Sequence, residues 1–220
     1  MNLFVVIPAY NAADTLSTLL ERTVRFVPKT NIIIVNDGSA DDTGSIAESF
    51  GACVLTHIKN KGKGAALQSG FNTAQQHDCD AVITIDADLQ HQPEDIPRFI
   101  DLYNVKKYDI IIGSRLHNNK GMPFHRVLSN TMTTFLVNVR TGTSISDSQS
   151  GFRFIARRVL EHVKLQTAGF EAETEFLLRA AKQKFSFGSI PIDTVYAGEK
   201  SHMTHLRTTI DFVKVLFKEY

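Results

Sequence analysis

Short apolar segments alternate with longer amphipathic segments through the first half of the chain. Five apolar segments are rich in β-branched residues and bounded by turn residues, which is typical of strands. They cover 3–8, 31–36, 53–57, 81–86 and 109–114. Between them, apolar residues recur at the three- and four-residue spacing of helices. The alternation predicts an α/β fold with a mostly parallel sheet, helices on both faces and a ligand crevice beyond the carboxyl ends of the strands.

The pattern changes after Ser114, where the regular alternation stops. Helical periodicity returns at 127–139 and 172–183, and strand-like segments lie at 152–156 and 187–192. This mixture predicts an α+β second half. The chain closes with a predicted amphipathic helix that begins near residue 204, with Leu206, Ile210, Val213, Phe217 and Tyr220 on one face.

The composition indicates one globular domain over 1–220, because 43% of the residues are hydrophobic and 21% are charged. The 24 Lys and Arg against 23 Asp and Glu give a net charge of +1, which excludes the strongly basic surface of a generic nucleic-acid binder. Residues 1–110 hold nine basic and 14 acidic residues, whereas 111–220 hold 15 and nine. We therefore expect cation binding in the first half and anion binding in the second.

Cysteine usage indicates a reducing, cytoplasmic compartment. Cys53 and Cys79 form no CxxC pair and lie at no zinc-ligand spacing from histidine, so neither a disulfide framework nor a zinc site is expected. The apolar run at 3–7 is interpreted as a strand, because a signal peptide needs roughly 7–15 apolar residues. No apolar stretch approaches the roughly 20 residues that span a bilayer.

Two aspartates at the end of the fourth predicted strand form the strongest local motif. Asp86 and Asp88 are separated by Ala87, and Gln90 and His91 follow. Carboxylate and amide oxygens suit Mg²⁺ or Mn²⁺, which leave other coordination positions for phosphate and water. The alternative is a solvated turn in which one aspartate caps the next helix.

The first two strands also end in residues that suit a ligand. Pro8, Ala9 and Tyr10 could form a wall beside a flat base, and Asp37 could accept hydrogen bonds from a base or ribose. Each is also an ordinary loop residue. Because the carboxyl ends of parallel strands share one edge of a sheet, the agreement of three strand ends favours a ligand site.

These motifs, taken in order, resemble the family 2 glycosyltransferases with the GT-A fold, in the polyprenyl-phosphate, dolichyl-phosphate mannose synthase-like branch. The segments that carry the resemblance are VVIPAYN, VNDGSADDT, NKGKGAAL, DADLQHQPEDI, IIGSR, SGFR, FEAETEFLLRA and GEKSH. The resemblance implies a Rossmann-like sheet. It also implies that Asp37 contacts the nucleobase beside Tyr10, and that Asp86, Asp88 and Gln90 hold the metal and donor diphosphate. One departure is Asn36, where the family often has aspartate.

The basic second half supplies candidates for an acceptor phosphate. Arg115 ends the fifth predicted strand and Arg126 follows in the next segment. Arginine makes bidentate phosphate contacts, and the resemblance implies that both bind the acceptor, although solvated surface arginines are the alternative. The resemblance also places Lys200 in a basic segment that closes over the donor diphosphate. Lys61 and Lys63, in the glycine-rich KNKGKG, are interpreted as solvated or as weak anion contacts.

The acceptor decides whether a general base is needed. A phosphate oxygen is already anionic and needs alignment and charge neutralisation, whereas a saccharide hydroxyl needs a carboxylate such as Asp147, Glu173 or Glu175. A nucleotidyltransferase is disfavoured, because 5–15 lacks a glycine-rich basic signature. A non-catalytic nucleotide-sugar-binding module is disfavoured by the complete aspartate motif and the two arginines.

The motifs and the resemblance together predict a metal-dependent glycosyltransferase that uses Mg²⁺ or Mn²⁺ and a UDP- or GDP-linked sugar, and the resemblance implies that transfer inverts the anomeric configuration. The expected acceptor is polyprenyl phosphate, and the alternative is a saccharide in cell-envelope glycan or glycolipid assembly. We assign 1–114 to donor binding, 115–203 to the acceptor side and 204–220 to the last helix. That helix docks on its own domain, on the inner face of the membrane or on a membrane-protein partner; the oligomeric state is not predicted.

Overall fold

Seven strands form one mixed sheet in the computed structural model of the chain, which describes residues 1–117, 122–194 and 205–218. The strands are β1 (Leu3–Ala9), β2 (Ile32–Asn36), β3 (Cys53–Thr56), β4 (Ala81–Thr84), β5 (Ile110–Ser114), β6 (Arg153–Ala156) and β7 (Phe187–Pro191). Their order in the sheet is β3-β2-β1-β4-β6-β5-β7. Strands β1 to β4 pair in parallel, as does β7 with β5, whereas β6 runs antiparallel to both of its neighbours.

Helices cover both faces of this sheet, as the periodicity predicts. They are α1 (Ala13–Thr23), α2 (Thr43–Phe50), α3 (Lys63–Gln76), α4 (Ile96–Lys106), α5 (Phe124–Thr141), α6 (Arg157–His162), α7 (Ala172–Lys182) and α8 (His205–Phe217). Strands β2, β4, β5 and β6 are buried along their whole length, which explains why most of their residues are apolar. One core packs under α3, α7 and α8, and the other packs under α1 and α4.

The antiparallel strand β6 brings a second loop to the edge of the sheet where the parallel strands end. Thr84, at the end of β4, pairs with Arg153, at the start of β6. The loop before β6 therefore arrives beside the loops that follow β1, β2 and β4. The second half of the chain thus completes the central sheet as well as covering it.

The last helix, α8, packs on α5 and α7. Its described side chains divide into two faces. Phe212, Val215 and Leu216 are buried, whereas Ile210, Val213 and Phe217 are exposed. None of the helices in the described ranges has both the length and the apolarity that a bilayer crossing requires.

Candidate active site

Three charged side chains meet at the edge of the sheet where β4 ends. Asp86 lies two residues beyond β4, Lys63 begins α3 and Glu173 lies in the first turn of α7. The Lys63 ammonium is 2.6 Å from Asp86 Oδ1 and 2.7 Å from Glu173 Oε1. The three side chains are 14%, 23% and 11% exposed for Lys63, Asp86 and Glu173. One cation therefore bridges two carboxylates in a largely buried cleft.

Each charged group in this cluster stabilises the ionised form of its partner. Burial alone would raise the pKa of Asp86, but the charge and hydrogen bond of Lys63 outweigh burial and hold that pKa below its usual value. Burial would likewise lower the pKa of Lys63, but Asp86 and Glu173 raise it above its usual value. Asp86 is therefore ionised and Lys63 protonated at neutral pH.

Gly151, in the loop before β6, lies against the same two carboxylates. A Cβ atom there would lie 2.5 Å from Asp86 Oδ2 and 3.0 Å from Glu173 Oε1. The hydroxyl of Thr84 donates to the Gly151 carbonyl at 2.7 Å and fixes the loop on the end of β4. A side chain at this position would have to displace the two carboxylates.

Asp37 is placed beside the glycine-rich segment that leads to Lys63. Its Oδ1 accepts the backbone N–H of Lys61 at 2.9 Å and its Oδ2 accepts that of Gly62 at 2.7 Å. His57 Nδ1 lies 2.6 Å from Oδ1. Asp37 is buried, and in this arrangement its carboxylate holds the segment rather than facing solvent. Because Lys61 and Gly62 directly precede Lys63, these hydrogen bonds place Asp37 close to the charged cluster.

The expected base wall lies next to Asp37. The backbone N–H of Asp37 donates to the Ala9 carbonyl at 2.8 Å. Ala9 is buried, Pro8 is half-buried and Tyr10 is 42% exposed. An exposed aromatic ring beside a fixed strand end can stack on a planar base. The wall and the charged cluster thus lie along one edge of the sheet.

The residues after Asp86 form a tight turn. Leu89 adopts a left-handed conformation with φ 60°, and Asp88 Oδ1 accepts the backbone N–H of Gln90 at 3.0 Å. The Ala87 carbonyl accepts the Thr15 hydroxyl at 2.6 Å, which fixes the turn on α1. In the described part of the chain, no three His, Cys, Asp or Glu side chains are grouped as a metal cage. Two carboxylates and an amide fit Mg²⁺ or Mn²⁺ without such a cage, because these ions take further ligands from phosphate and water.

His91 is buried between this turn and the Phe152 ring, whose centroid is 5.4 Å from that of the imidazole. Burial lowers the pKa of His91 to about 4, although Asp86 opposes that shift. Its Nδ1 has no partner among the described residues. The ring is therefore neutral at physiological pH and adds no charge to the cluster.

The two arginines assigned to an acceptor phosphate have different surroundings. Arg115 is buried, and its Nε and one terminal nitrogen lie 2.8 and 3.0 Å from the two oxygens of Asp147. Arg126 is half-buried in the first turn of α5. Burial would raise the pKa of Asp147, but Arg115 holds it below its usual value. A protonated partner therefore occupies Asp147 in this arrangement, and its expected role as a base stays a prediction.

Sequence reasoning missed the place of Lys63. It was interpreted as solvated or as a weak anion contact, yet it bridges Asp86 and Glu173. The two glycines on either side of it were the available signal, since paired glycines often mark a close backbone approach. Lys200 lies outside the described residues, so its expected role stays a prediction.

The chain matches the glycosyl transferase family 2 over residues 4–164, and it therefore belongs to that family and is a glycosyltransferase. A protein of Methanocaldococcus jannaschii without an assigned function is 33% identical, covering 98% of this chain and 90% of that protein. A UDP-N-acetylglucosamine–dolichyl-phosphate N-acetylglucosaminyltransferase of Methanococcus voltae is 30% identical, with 88% and 86% covered. A polyprenol monophosphomannose synthase of Mycolicibacterium smegmatis is 29% identical, with 86% and 75% covered. The family expected from the motifs is confirmed.

A solved structure shares the fold. Glucosyl-3-phosphoglycerate synthase of Mycobacterium tuberculosis, crystallised with Mn²⁺, UDP and glucosyl-3-phosphoglycerate, superposes with a TM-score of 0.78 at 18% identity. The match covers 98% of this chain and 78% of that chain. It confirms the expected GT-A-type α/β fold.

Proposed function

We propose that this glycosyltransferase moves a sugar from a nucleoside diphosphate to a polyprenyl phosphate. An oxygen of the acceptor phosphate attacks the anomeric carbon and forms a new C–O bond. The bond from that carbon to the donor diphosphate breaks with inversion, and its electron pair leaves with the nucleoside diphosphate. No proton has to be removed, because the attacking oxygen is already anionic.

The relatives support the acceptor class. The enzymes of Methanococcus voltae and Mycolicibacterium smegmatis are named for dolichyl phosphate and for polyprenol, and a shorter match is named an undecaprenyl-phosphate transferase. Their names share a polyprenyl acceptor but differ in the sugar: N-acetylglucosamine, mannose and 4-deoxy-4-formamido-L-arabinose. We therefore assign the acceptor class and leave the donor sugar to experiment.

The state of the carboxylates supports a phosphate acceptor over a saccharide hydroxyl. A hydroxyl would need a base to take its proton. Asp147 is held by Arg115, Glu173 by Lys63, and Glu175 accepts hydrogen bonds on both oxygens. Each carboxylate that the sequence suggested as a base is thus engaged by a cation or by several donors. This is the observation that carries the proposal.

On the donor side, Asp86, Asp88 and Gln90 would hold Mg²⁺ or Mn²⁺. The ion, when bound, supplies charge neutralisation for the diphosphate leaving group. Lys63 adds a protonated ammonium in the same cleft, where it can contact donor oxygens while Asp86 and Glu173 keep it oriented. Pro8, Ala9 and Tyr10 would line the base, with Asp37 fixed beside them by its hydrogen bonds to Lys61 and Gly62, and Ala87 and Lys200 would complete the nucleotide site.

On the acceptor side, Arg115 and Arg126 would bind the phosphate. Asp147 fixes the Arg115 guanidinium in one orientation through two hydrogen bonds, which prepares a rigid donor for a phosphate oxygen. Arg126 lies in the first turn of α5 and is half-buried, so part of its side chain is accessible to a lipid headgroup.

The outer face of α5 supports the proposal that the enzyme acts at a membrane surface. Five apolar side chains on it are more than half exposed, and at 100° per residue they fall in a band about 80° wide. They are Phe124, Leu128, Met132, Phe135 and Val139. The helix carries His125, Arg126 and Arg140 and no acidic residue. An exposed apolar stripe on a helix that carries basic but no acidic residues suits an anionic bilayer, and Thr134 and Asn138, outside the stripe, are hydrogen-bonded to the loop that holds Asp147.

A nucleotide panel tests the donor site. Thermal unfolding is measured with UDP, GDP, CDP and ADP, each with and without Mn²⁺. A ligand at 100 times its Kd stabilises by about 2.7 kcal/mol, so we expect one base to shift the midpoint only when the metal is present. Asp88→Asn should abolish that shift, and Asp101→Asn, on exposed α4 surface, should retain it. No shift with any nucleotide would contradict the donor site.

Flotation with vesicles tests the membrane face. We expect the chain to float with vesicles containing phosphatidylglycerol, and Leu128→Ser with Phe135→Ser to reduce binding at least tenfold. Val105→Ser is the matched control, since Val105 is an exposed apolar residue on α4. Equal binding by the α5 variant and the control would contradict this part of the proposal.

A further inference from the structure

The segment 166–168 covers the first turn of α3, the helix that begins at Lys63. The Ala168 carbonyl accepts the backbone N–H of Gly64 at 2.7 Å and that of Ala65 at 3.3 Å. These N–H groups belong to the first turn of α3 and have no acceptor within it. A carbonyl from a distant loop thus caps the helix at the point where Lys63 enters the cleft.

The same segment is in close contact with the glycines on either side of Lys63. A Cβ atom on Gly62 would lie 2.4 Å from the Ala168 oxygen, and one on Gly64 would lie 2.5 Å from the Thr167 oxygen. Gly62 also has a φ of 97°, which disfavours any other residue. The position of the Lys63 backbone therefore depends on where this segment lies.

The Glu175 carboxylate binds segment 166–168 through hydrogen bonds. Its Oε2 accepts the backbone N–H of Gln166 at 3.0 Å, the N–H of Thr167 at 2.8 Å and the Thr167 hydroxyl at 2.7 Å. Its Oε1 accepts Arg179 Nε at 2.7 Å. Glu175 is fully buried. Burial alone would raise its pKa, but the hydrogen bonds from Thr167 and Arg179 hold that pKa below its usual value.

We propose that Glu175 is a positioning residue, which acts through segment 166–168 to hold the Lys63 ammonium between Asp86 and Glu173. It touches none of the groups assigned to the donor or acceptor, so it is not a catalytic residue. Its contribution to catalysis rests on the proposed function, whereas its contribution to the placement of α3 does not.

Hydrogen exchange tests the structural link without any substrate. Glu175→Gln keeps the shape of the side chain but removes the charge, and hydrogen bonds to an ionised acceptor are roughly twice as strong as neutral ones. We expect the amides of Gly64 and Ala65 to exchange at least tenfold faster in this variant. Glu21→Gln is the control, because it makes the same change at an exposed residue of α1 and should leave these amides within threefold of wild type. Unchanged exchange in Glu175→Gln would overturn the proposal.

A double-mutant cycle tests the functional link, with kcat/KM for sugar transfer as the readout. We expect Glu175→Gln to lower kcat/KM at least tenfold alone, but less than twofold when Lys63→Met is already present, because residues that act through one another are not additive. Equal losses in both backgrounds would show a general structural role and overturn the proposal. If the wild-type chain transfers no sugar, the proposed function fails, and the exchange experiment still decides the positioning role.

Discussion

Replacing Lys63 with methionine removes the cation of the cluster while keeping a side chain of similar length. Asp86 and Glu173 each have an oxygen within 2.7 Å of the Lys63 ammonium. Those oxygens are therefore at most about 5 Å apart, and two unit charges at that distance repel by about 3 kcal/mol at an effective dielectric constant of about 20. Because solvent reaches part of the cleft, we expect Lys63→Met to lose about 2–3 kcal/mol of unfolding free energy.

Urea unfolding followed by circular dichroism, at pH 7.5 with EDTA, measures this loss. The thermal midpoint should fall by roughly 4–12 °C in a domain of this size. Lys63→Met with Glu173→Gln removes one of the two repelling charges and should recover at least about 1 kcal/mol. Lys182→Met, at an exposed lysine of α7, is the control. The reasoning is refuted if Lys63→Met stays within about 0.5 kcal/mol of wild type, or if the second substitution recovers nothing.

Two further predictions concern the loop before β6. Gly151→Ala places a methyl group 2.5 Å from the Asp86 carboxylate, so we expect thermal unfolding to show a loss of about 1–3 kcal/mol; a wild-type midpoint would contradict the close contact. Asp147 has a lowered pKa in the folded chain because Arg115 outweighs burial. Its stabilisation is therefore complete above the ordinary carboxyl pKa of about 3.9 and is lost as the pH falls through the lower folded value. Urea unfolding at pH values between 6 and 2 should show that the unfolding free energy falls less steeply with decreasing pH in Asp147→Asn than in wild type. Equal slopes would contradict the pairing of Asp147 with Arg115.

The sequence predicted the five strands of the first half as apolar runs bounded by turn residues, and the helices between them by their period, whereas the six-residue helix α6 was not predicted. The observed β1 and β5 differ from the predicted segments by one residue at one end. The position of β6 in the sheet was not predicted. Three of its four residues are apolar and suit any buried strand, and only the pairing of Arg153 with Thr84 places it antiparallel beside β4.

The sequence predicted the location of the aspartates in the candidate site, but not the ion pairs of Lys63 and Arg115. Asp86 and Asp88 follow a strand directly, so their place at the edge of the sheet follows from the topology alone. The partners of Lys63 and Arg115 lie far away in the chain: Glu173, which contacts Lys63, belongs to α7, and Asp147 is separated from Arg115 by 32 residues. No local pattern encodes such pairing, which depends on how the loops pack after the sheet has formed.

Transfer of labelled sugar to undecaprenyl phosphate tests the central claim most directly. The donors UDP-N-acetylglucosamine and GDP-mannose are each supplied with Mg²⁺ or Mn²⁺. Undecaprenol, which lacks the phosphate, is the matched control acceptor. We expect one donor to yield a lipid-linked monophosphate sugar with release of the nucleoside diphosphate, no product with undecaprenol, and loss of activity in Asp88→Asn. Transfer to a saccharide hydroxyl but not to undecaprenyl phosphate, or equal activity in Asp88→Asn, would contradict the account.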